Sequence, residues 1–132
     1  MAESALQKKL RVQPGLRMLV LNAPEGYIEA LGTLPEGAEI ETEVQGSFDW
    51  GQCFVRDVAE LRRLAPEARD AVTYDGLLWI SYPKKSSKIA TDISRDVAWE
   101  VMKEFGLRPV FQVSIDETWS ALRFRPPERV GT

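Results

Sequence analysis

The sequence predicts an α/β protein with a three-layer, Rossmann-like sheet of about six mostly parallel strands and an antiparallel last strand. Short apolar runs alternate with helical patterns along the chain, which is typical of strands joined by crossover helices. The run Leu77–Ile80 is continuously apolar, as expected of a strand that helices cover on both faces. With 132 residues, 44% of them hydrophobic, the chain has the size of one domain.

Six predicted strands have compact apolar or alternating patterns bounded by turn residues. They cover Arg17–Asn22, Glu39–Val44, Gln52–Val55, the apolar run Leu77–Ile80 within the stretch Tyr74–Lys85, Pro109–Ile115 and Trp119–Phe124. Acidic residues alternate with Ile40, Thr42 and Val44 in the second strand, so we expect it at an edge of the sheet. The short link Asp116–Thr118 requires the last two strands to be antiparallel neighbours or to make a tight return.

Three helices are predicted from capping residues and apolar spacing. They run from about Asn22 to Leu31, from Asp57 to about Val72 with a new start at Pro66, and from about Ile93 to Phe105. Asn22 can cap the first helix, and Asp57 with Glu60 matches a capping box for the second. Thr91 or Asp92 can cap the third.

We expect a single domain, residues 1–132, with an N-terminal arm (1–15) that contains a helical turn, Ser4 to Leu10, and a loose tail (126–132). No segment reaches the roughly 18 apolar residues that span a bilayer, and the start lacks the apolar part of a signal peptide. These features predict a cytoplasmic protein with no membrane partner. A net charge of −3 gives no reason to expect a nucleic-acid partner.

The composition excludes several kinds of chemistry. With no histidine, the chain has no Ser-His-Asp triad, no imidazole base and no histidine-ligated zinc. The single cysteine, Cys53, excludes an internal disulfide, and its apolar surroundings favour a buried, inert thiol. We predict no metal site and no catalytic residue, since each remaining candidate has a simpler role as a cap, turn or strand end. Those candidates are Asp57, Tyr82, Lys84, Asp92, Asp116 and Glu117.

The turn after the first strand, Asn22-Ala23-Pro24-Glu25-Gly26, argues against dinucleotide binding. It lacks the glycines that let a backbone approach a cofactor, Pro24 removes an amide, and Glu25 opposes a phosphate. S-adenosylmethionine carries a positive sulfonium and no phosphate, so Glu25 does not exclude it. Glu41 or Glu43 could hold a ribose, although a solvated edge charge is the simpler interpretation. We expect no bound cofactor.

The loop after the central strand is the best candidate for a ligand site, because ligands bind beyond the carboxyl ends of strands in such sheets. Lys84, Lys85, Ser86 and Lys88 there could hold an anion or an acidic partner, together with Asn22, Pro24 and Glu25 from the first turn. The alternative is a loop that is merely solvated.

Three further residues are candidates for an interaction surface. Trp99 falls off the apolar stripe of its helix, and it either packs on a neighbouring loop or contributes to a contact surface. Trp119 and Arg123 are candidates for the same surface, although a simpler interpretation makes Trp119 a core residue at the start of the last strand.

Several short motifs carry a resemblance to a known family. They are Lys9-Leu10, Pro14-Gly15, Leu21-Asn22-Ala23-Pro24, W-I-S-Y-P-K from Trp79 and W-S-A-L-R-F from Trp119. In this order and spacing, from about residue 6 to 126, the chain resembles an uncharacterised family of small bacterial proteins described only as a domain of unknown function. The predicted topology is also similar to a trimmed class I methyltransferase, which implies the strand order 2-1-3-4-6-5.

We therefore expect a non-catalytic interaction or regulatory module on a cofactor-free Rossmann-like fold, with a protein or a small anionic ligand as its partner. The alternative is a small-ligand or S-adenosylmethionine-binding protein, or a minimal methyltransferase-like enzyme, that uses the loops after predicted strands 1 and 4. This alternative predicts a pocket bordered by the Lys84–Lys88 loop and the Asn22–Gly26 turn.

Overall fold

A six-stranded sheet forms the centre of the computed structural model, which describes residues 5–131. The strands are β1 (Arg17–Leu21), β2 (Glu39–Glu41), β3 (Phe48–Phe54), β4 (Val72–Pro83), β5 (Arg108–Ser114) and β6 (Trp119–Arg125). The helices are α1 (Ala5–Lys9), α2 (Tyr27–Leu31), α3 (Val58–Ala71) and α4 (Arg95–Glu104), and a 3-10 helix covers Pro127–Arg129. The first four residues of the predicted arm and the last residue of the predicted tail lie outside the described residues.

The strand order is β2-β1-β3-β4-β6-β5. Strands β1 to β4 pair in parallel, whereas β6 is antiparallel to both of its neighbours, β4 and β5. The predicted fold class, the edge position of the second strand and the predicted strand order are all confirmed.

Strand β4 is the interior strand that the apolar run predicted. Trp79 and Ile80 are fully buried, and they belong to the two hydrophobic cores on opposite faces of the sheet. Hydrogen bonds to β3 on one side and β6 on the other complete the burial of its backbone. The strand therefore fixes the positions of the loops at both of its ends.

Helices α3 and α4 cover one face of the sheet. Their buried residues, among them Leu61, Val101 and Met102, pack against Cys53 and Ile80 of the central strands. Burial, with smaller contributions from the carboxylates of Glu60 and Glu67, raises the pKa of the Cys53 thiol to about 12. The thiol is thus protonated at neutral pH, and its predicted burial is confirmed.

The other face is covered by two helices of five residues each, α1 and α2. The carbonyl oxygen of Leu10 attaches the chain after α1 to the sheet. It accepts hydrogen bonds from the indole nitrogens of Trp50 at 2.8 Å and Trp79 at 3.1 Å. This contact joins the N-terminal segment to the two central strands.

No helix within residues 5–131 is both long and apolar enough to cross a membrane.

Two strand boundaries differ from the prediction. The predicted third strand began at Gln52, but β3 already begins at Phe48. Phe48 and Trp50 are fully buried, because the apolar cores on the two faces of the sheet take up their side chains. Gly51 lies within the strand, which pairs with β1 on one side and β4 on the other. Strand β2 ends at Glu41 instead of Val44, and Val44 is 46% exposed.

Two helix predictions also need correction. The cap of α4 is Ser94, whose hydroxyl accepts from the amide of Val97 at 3.2 Å, so the helix starts later than Thr91 or Asp92 would place it. Helix α3 runs without interruption through Pro66. Since proline has no N–H, this leaves one carbonyl of the preceding turn without its intrahelical bond.

The C-terminal residues contact the start of β4. The hydroxyl of Tyr74 donates to Glu128 at 2.5 Å. Asp75 accepts from Arg125 at 2.8 and 2.9 Å and from Arg129 at 3.1 Å. Chiefly because of the hydrogen bonds from Arg125, and with a further one from Arg129, the pKa of Asp75 is lowered to about 2.

Replacing Asp75 by Asn should lower the free energy of unfolding by about 1–2 kcal/mol at neutral pH, because hydrogen bonds between charged groups are lost. Asn tolerates the left-handed backbone at this position, where φ is 57°. Since the folded-state pKa lies below the ordinary value of 3.8, the stabilisation is present above about pH 4 and disappears as the pH falls towards 2. Urea unfolding of both proteins across this range should show their difference shrinking; a difference independent of pH would contradict the ion-pair assignment.

Candidate functional site

The candidate site lies at the carboxyl ends of the parallel strands. The chain leaves β1 towards β2 on one side, and the later parallel strands β3 and β4 lie on the other. The order therefore reverses between β1 and β3. In open α/β sheets the crevice at such a reversal is where ligands bind.

Asn22 joins the two loops that meet at this reversal. Its side-chain amide donates to the carbonyl oxygen of Phe54 at 2.9 Å and to the carboxylate of Glu60 at 3.4 Å. Glu60 also accepts from the amide of Arg56 at 2.8 Å. Asn22 adopts a left-handed backbone with φ of 58°, which directs the chain out of the sheet. The predicted cap of α2 is thus wrong, because the side chain bonds across to β3 instead.

The rest of the first turn is open. Pro24 is half-buried, and Glu25 and Gly26 are exposed. Gly26 takes the position before α2 with φ of 83° and no side-chain cap, a conformation that favours glycine. The carboxylate of Glu25 is therefore available at the edge of the sheet.

The loops after β3 and β4 are also connected. Asp57 caps α3 by accepting from the amide of Glu60 at 2.8 Å, as predicted. Asp92, from the connection after β4, accepts from the amide of Val58 at 2.8 Å. Through Asn22, Glu60 and Asp92, three successive crossover loops share hydrogen bonds at one edge.

The predicted ribose acid Glu41 is already engaged. Its carboxylate lies 2.6 Å from the guanidinium of Arg17. Arg17 also donates to the backbone of Gln45 and Ser47 and stacks over the ring of Phe48, 4.3 Å from its centroid. Glu41 thus pairs with the arginine that binds the connection between β2 and β3. Glu43 is exposed.

A buried polar chain runs below the edge on the α1–α2 face. The hydroxyl of Tyr27 donates to Gln52 at 2.7 Å, and the amide of Gln52 donates to Ser81 at 2.9 Å. Burial raises the pKa of Tyr27. The chain links α2 to β3 and β4 and keeps this hydroxyl protonated.

The loop Pro83–Lys88, here called the basic loop, leads from β4 towards α4. Lys84 donates to the hydroxyl of Ser114 at 2.6 Å, while Lys85, Ser86 and Lys88 are exposed. Lys84 and Lys85 line a cavity of about 330 Å³ beside the start of α4, here called the α4 cavity. Ser86 and Lys88 do not line it, and neither does any residue of the Asn22–Gly26 turn. The α4 cavity is therefore a different pocket from the one predicted between the basic loop and the first turn.

Sequence reasoning missed Ser94, Arg95 and Gln112 of the α4 cavity. Serine is as good a helix cap as threonine or aspartate, so the sequence offered Ser94 as a third candidate besides Thr91 and Asp92. The short link between β5 and β6 predicts that they pair, but the sequence does not specify the register that brings Gln112 to Tyr82.

The three predicted surface residues lie apart. Trp99 is 44% exposed and borders a groove with Phe111 and Val130. Trp119 is 5% exposed and packs edge-to-face on Phe54, with 5.1 Å between ring centroids. Arg123 is 9% exposed, and burial lowers its pKa. The grouping of all three on one exposed surface therefore needs correction; Trp99 alone is on the outside.

Among residues 5–131, no three Cys, Asp or Glu side chains are grouped so as to hold a metal ion.

No protein-family model matches the chain, and neither does any characterised protein sequence. The fold is similar to three solved bacterial structures. A SAM-dependent methyltransferase from Aquifex aeolicus has a TM-score of 0.64 at 12% identity, covering 91% of this chain and 88% of that one. A ribosomal protein L11 methylase from Lactobacillus delbrueckii subsp. bulgaricus has 0.60 at 12%, covering 92% and 74%. The N-methyltransferase NodS from Bradyrhizobium japonicum WM9, in complex with S-adenosyl-L-homocysteine, has 0.57 at 15%, covering 92% and 83%.

At these identities the likeness concerns the fold, which is that of a methyltransferase. The hypothesis of a non-catalytic interaction module is contradicted, because the three similar structures reported above are those of methyltransferases. Its argument relied on the missing glycine turn, but the predicted strand order 2-1-3-4-6-5 is present without that turn. The comparison favours the methyltransferase-like alternative.

Replacing Asn22 should show how far the first turn depends on this residue. Asn22→Ala loses the bond to Phe54 and strains the left-handed backbone, so we expect a loss of about 2 kcal/mol in the free energy of unfolding. Asn22→Gly loses the bond but relieves the strain, and should cost about 1 kcal/mol. Urea unfolding of the two variants measures the difference. An equal loss in both would show that backbone strain is unimportant there.

Proposed function

We propose that this chain is an S-adenosylmethionine-binding protein of the methyltransferase type, with the ligand at the carboxyl ends of β1 and β3. The observation that carries the proposal is the reversal of strand order between these two strands. There Asn22 bonds to Phe54 at the end of β3, and Pro24 and Glu25 follow in the same turn. When bound, S-adenosylmethionine would supply a methyl group for transfer to a nucleophile.

The charges at this edge suit a cationic sulfonium. Glu25 and Asp57 are exposed there and Glu60 is half-buried. Arg56 is the opposing charge in the same loop, and Glu60 lies 3.8 Å from Arg63 at its other side. Carboxylates outnumber the guanidinium groups that approach the reversal, so a positive ligand is favoured over a phosphate.

The nucleoside would be held differently from the way a glycine-rich turn holds it. Pro24 offers no amide, and the side-chain amide of Asn22 is engaged with Phe54. Glu41 is paired with Arg17, so Glu43 is the acid left for a ribose. These residues fit the charged part of the ligand best, and we expect weaker binding than a complete glycine turn would give.

Several narrower predictions remain proposals beside this one. They are membership of the uncharacterised bacterial family, a single domain with a tail at 126–132, a cytoplasmic location, and ligand contacts at Ser86 and Lys88. None of them is required for S-adenosylmethionine binding at β1 and β3.

The proposal is tested by calorimetric titration with S-adenosylmethionine and with S-adenosyl-L-homocysteine, whose sulfur is uncharged. Glu25→Gln should weaken binding of S-adenosylmethionine about two- to five-fold, the effect of an exposed charge. The affinity for S-adenosyl-L-homocysteine should stay nearly unchanged. Glu36→Gln is the matched control, because Glu36 is an exposed acid in the connection before β2. It lies at the amino end of that strand, away from the proposed site. If neither compound binds the wild-type chain, or if Glu25→Gln affects both equally, the proposed site is wrong.

A further inference from the structure

The α4 cavity is separate from the proposed S-adenosylmethionine site. It lies on the α3–α4 face of the sheet, where the ends of β4 and β5 and the start of β6 meet the beginning of α4. Its volume of about 330 Å³ is at the small end of the range for ligand sites. Two buried hydroxyls, one helix terminus and three cations converge on it.

Ser120 is the first of the buried hydroxyls. It is 7% exposed and lines the cavity. Along β6, Trp119 and Ala121 belong to the core on the opposite face, while Leu122 belongs to the core under α4. Because side chains alternate along a strand, the Ser120 hydroxyl points towards α4. It makes no side-chain hydrogen bond within residues 5–131, and its Oγ is not fully enclosed by protein atoms, so the hydroxyl is open to a molecule in the cavity.

Tyr82 is the second hydroxyl, directly opposite Ser120 in the pairing of β4 with β6. It is 4% exposed and accepts a hydrogen bond from the side-chain amide of Gln112 at 3.1 Å. Its own hydrogen is left to donate. Burial raises the pKa of Tyr82, so the hydroxyl keeps that hydrogen at neutral pH.

The start of α4 supplies further donors. Ser94 satisfies the amide of Val97, and the carbonyl of Ser94 accepts from Ala98 at 2.9 Å. The amides of the first two residues, Arg95 and Asp96, come before the first intrahelical bond and point out of the helix end. With the positive end of the helix dipole, they favour a negative group in front of them.

The charged lining is mainly positive. Lys84, Lys85 and Arg95 border the cavity, against one carboxylate, that of Asp96. Arg95 lies 3.9 Å from Asp96, and both side chains are largely exposed, so this pair is weak. A water molecule would satisfy Ser120 alone, but it would leave the cations and the helix end without a counter-charge.

We propose that the α4 cavity binds a small molecule through an oxyanion group, a phosphate or a carboxylate. The hydroxyls of Ser120 and Tyr82 donate to the oxyanion from the sheet, and the first amides of α4 donate from the helix. Lys84, Lys85 and Arg95 balance its charge at the entrance. This site goes beyond the S-adenosylmethionine site and does not depend on it.

The test is a titration of the full chain with inorganic phosphate, and separately with acetate, at constant ionic strength, followed by amide chemical shifts in NMR. Saturable shifts are expected at Arg95, Asp96 and Ser120 with at least one of the two anions, and which one saturates at lower concentration identifies the preferred oxyanion. Ser120→Ala should weaken that binding at least about ten-fold, because a hydrogen bond to a charged group is lost. The Tm of Ser120→Ala should stay within about a degree or two of wild type or rise, since the hydroxyl has no partner to lose.

Matched controls come from the basic loop. Ser86→Ala and Lys88→Gln remove a hydroxyl and a charge that do not line the cavity, and each should leave the affinity within about two-fold of wild type. Lys85→Gln should weaken it by more than Lys88→Gln does. Shifts that stay linear with both anions would overturn the proposal, and so would equal affinities in wild type and Ser120→Ala.

Discussion

The carbonyl oxygen of Leu10 is the contact on which the thinner side of this molecule depends. Two indole nitrogens, from Trp50 and Trp79, donate to it, and neither could be buried at the centre of the sheet without an acceptor. The helices on this face have only five residues each, too few to be stable by themselves. A short N-terminal segment can therefore cover the two central strands because these hydrogen bonds hold it there.

The two faces of the sheet are stabilised by different kinds of contact. The α3–α4 face supplies apolar burial through two longer helices, while the α1–α2 face combines tryptophans with the polar chain Tyr27–Gln52–Ser81. The crossover loops emerge between these layers and share hydrogen bonds through Glu60 and Asp92. The edge that would receive a ligand is consequently held in place by the contacts that close the loops. Both proposed sites lie along this edge. The S-adenosylmethionine site is at the ends of β1 and β3, and the α4 cavity is at the ends of β4 and β5.

Much of the architecture follows from local patterns. The apolar run at Trp79 identified an interior strand, and the short Asp116–Thr118 link identified the return of β6. Local patterns failed where burial decided the outcome: Phe48 and Trp50 lie between glycines but are core residues. The α4 cavity could be predicted only in part. Lys84 and Lys85 stand out in the sequence, whereas Ser120 faces Tyr82 through a pairing of distant residues. The hypothesis of a non-catalytic module was wrong because it treated the missing glycine turn as decisive, whereas even without such a turn the fold resembles that of methyltransferases.

Cys53 is the one thiol of the chain, it is fully enclosed, and its pKa is held near 12. It lies on β3, which pairs with β1 on one side and with β4 on the other. An alkylating reagent can reach it only when β3 separates from α3, since the reactive thiolate requires solvent. The rate of its modification thus reports how often the middle of this sheet opens. A ligand that binds only the closed form lowers the population of the open form by the factor 1 + L/Kd, where L is the concentration of free ligand.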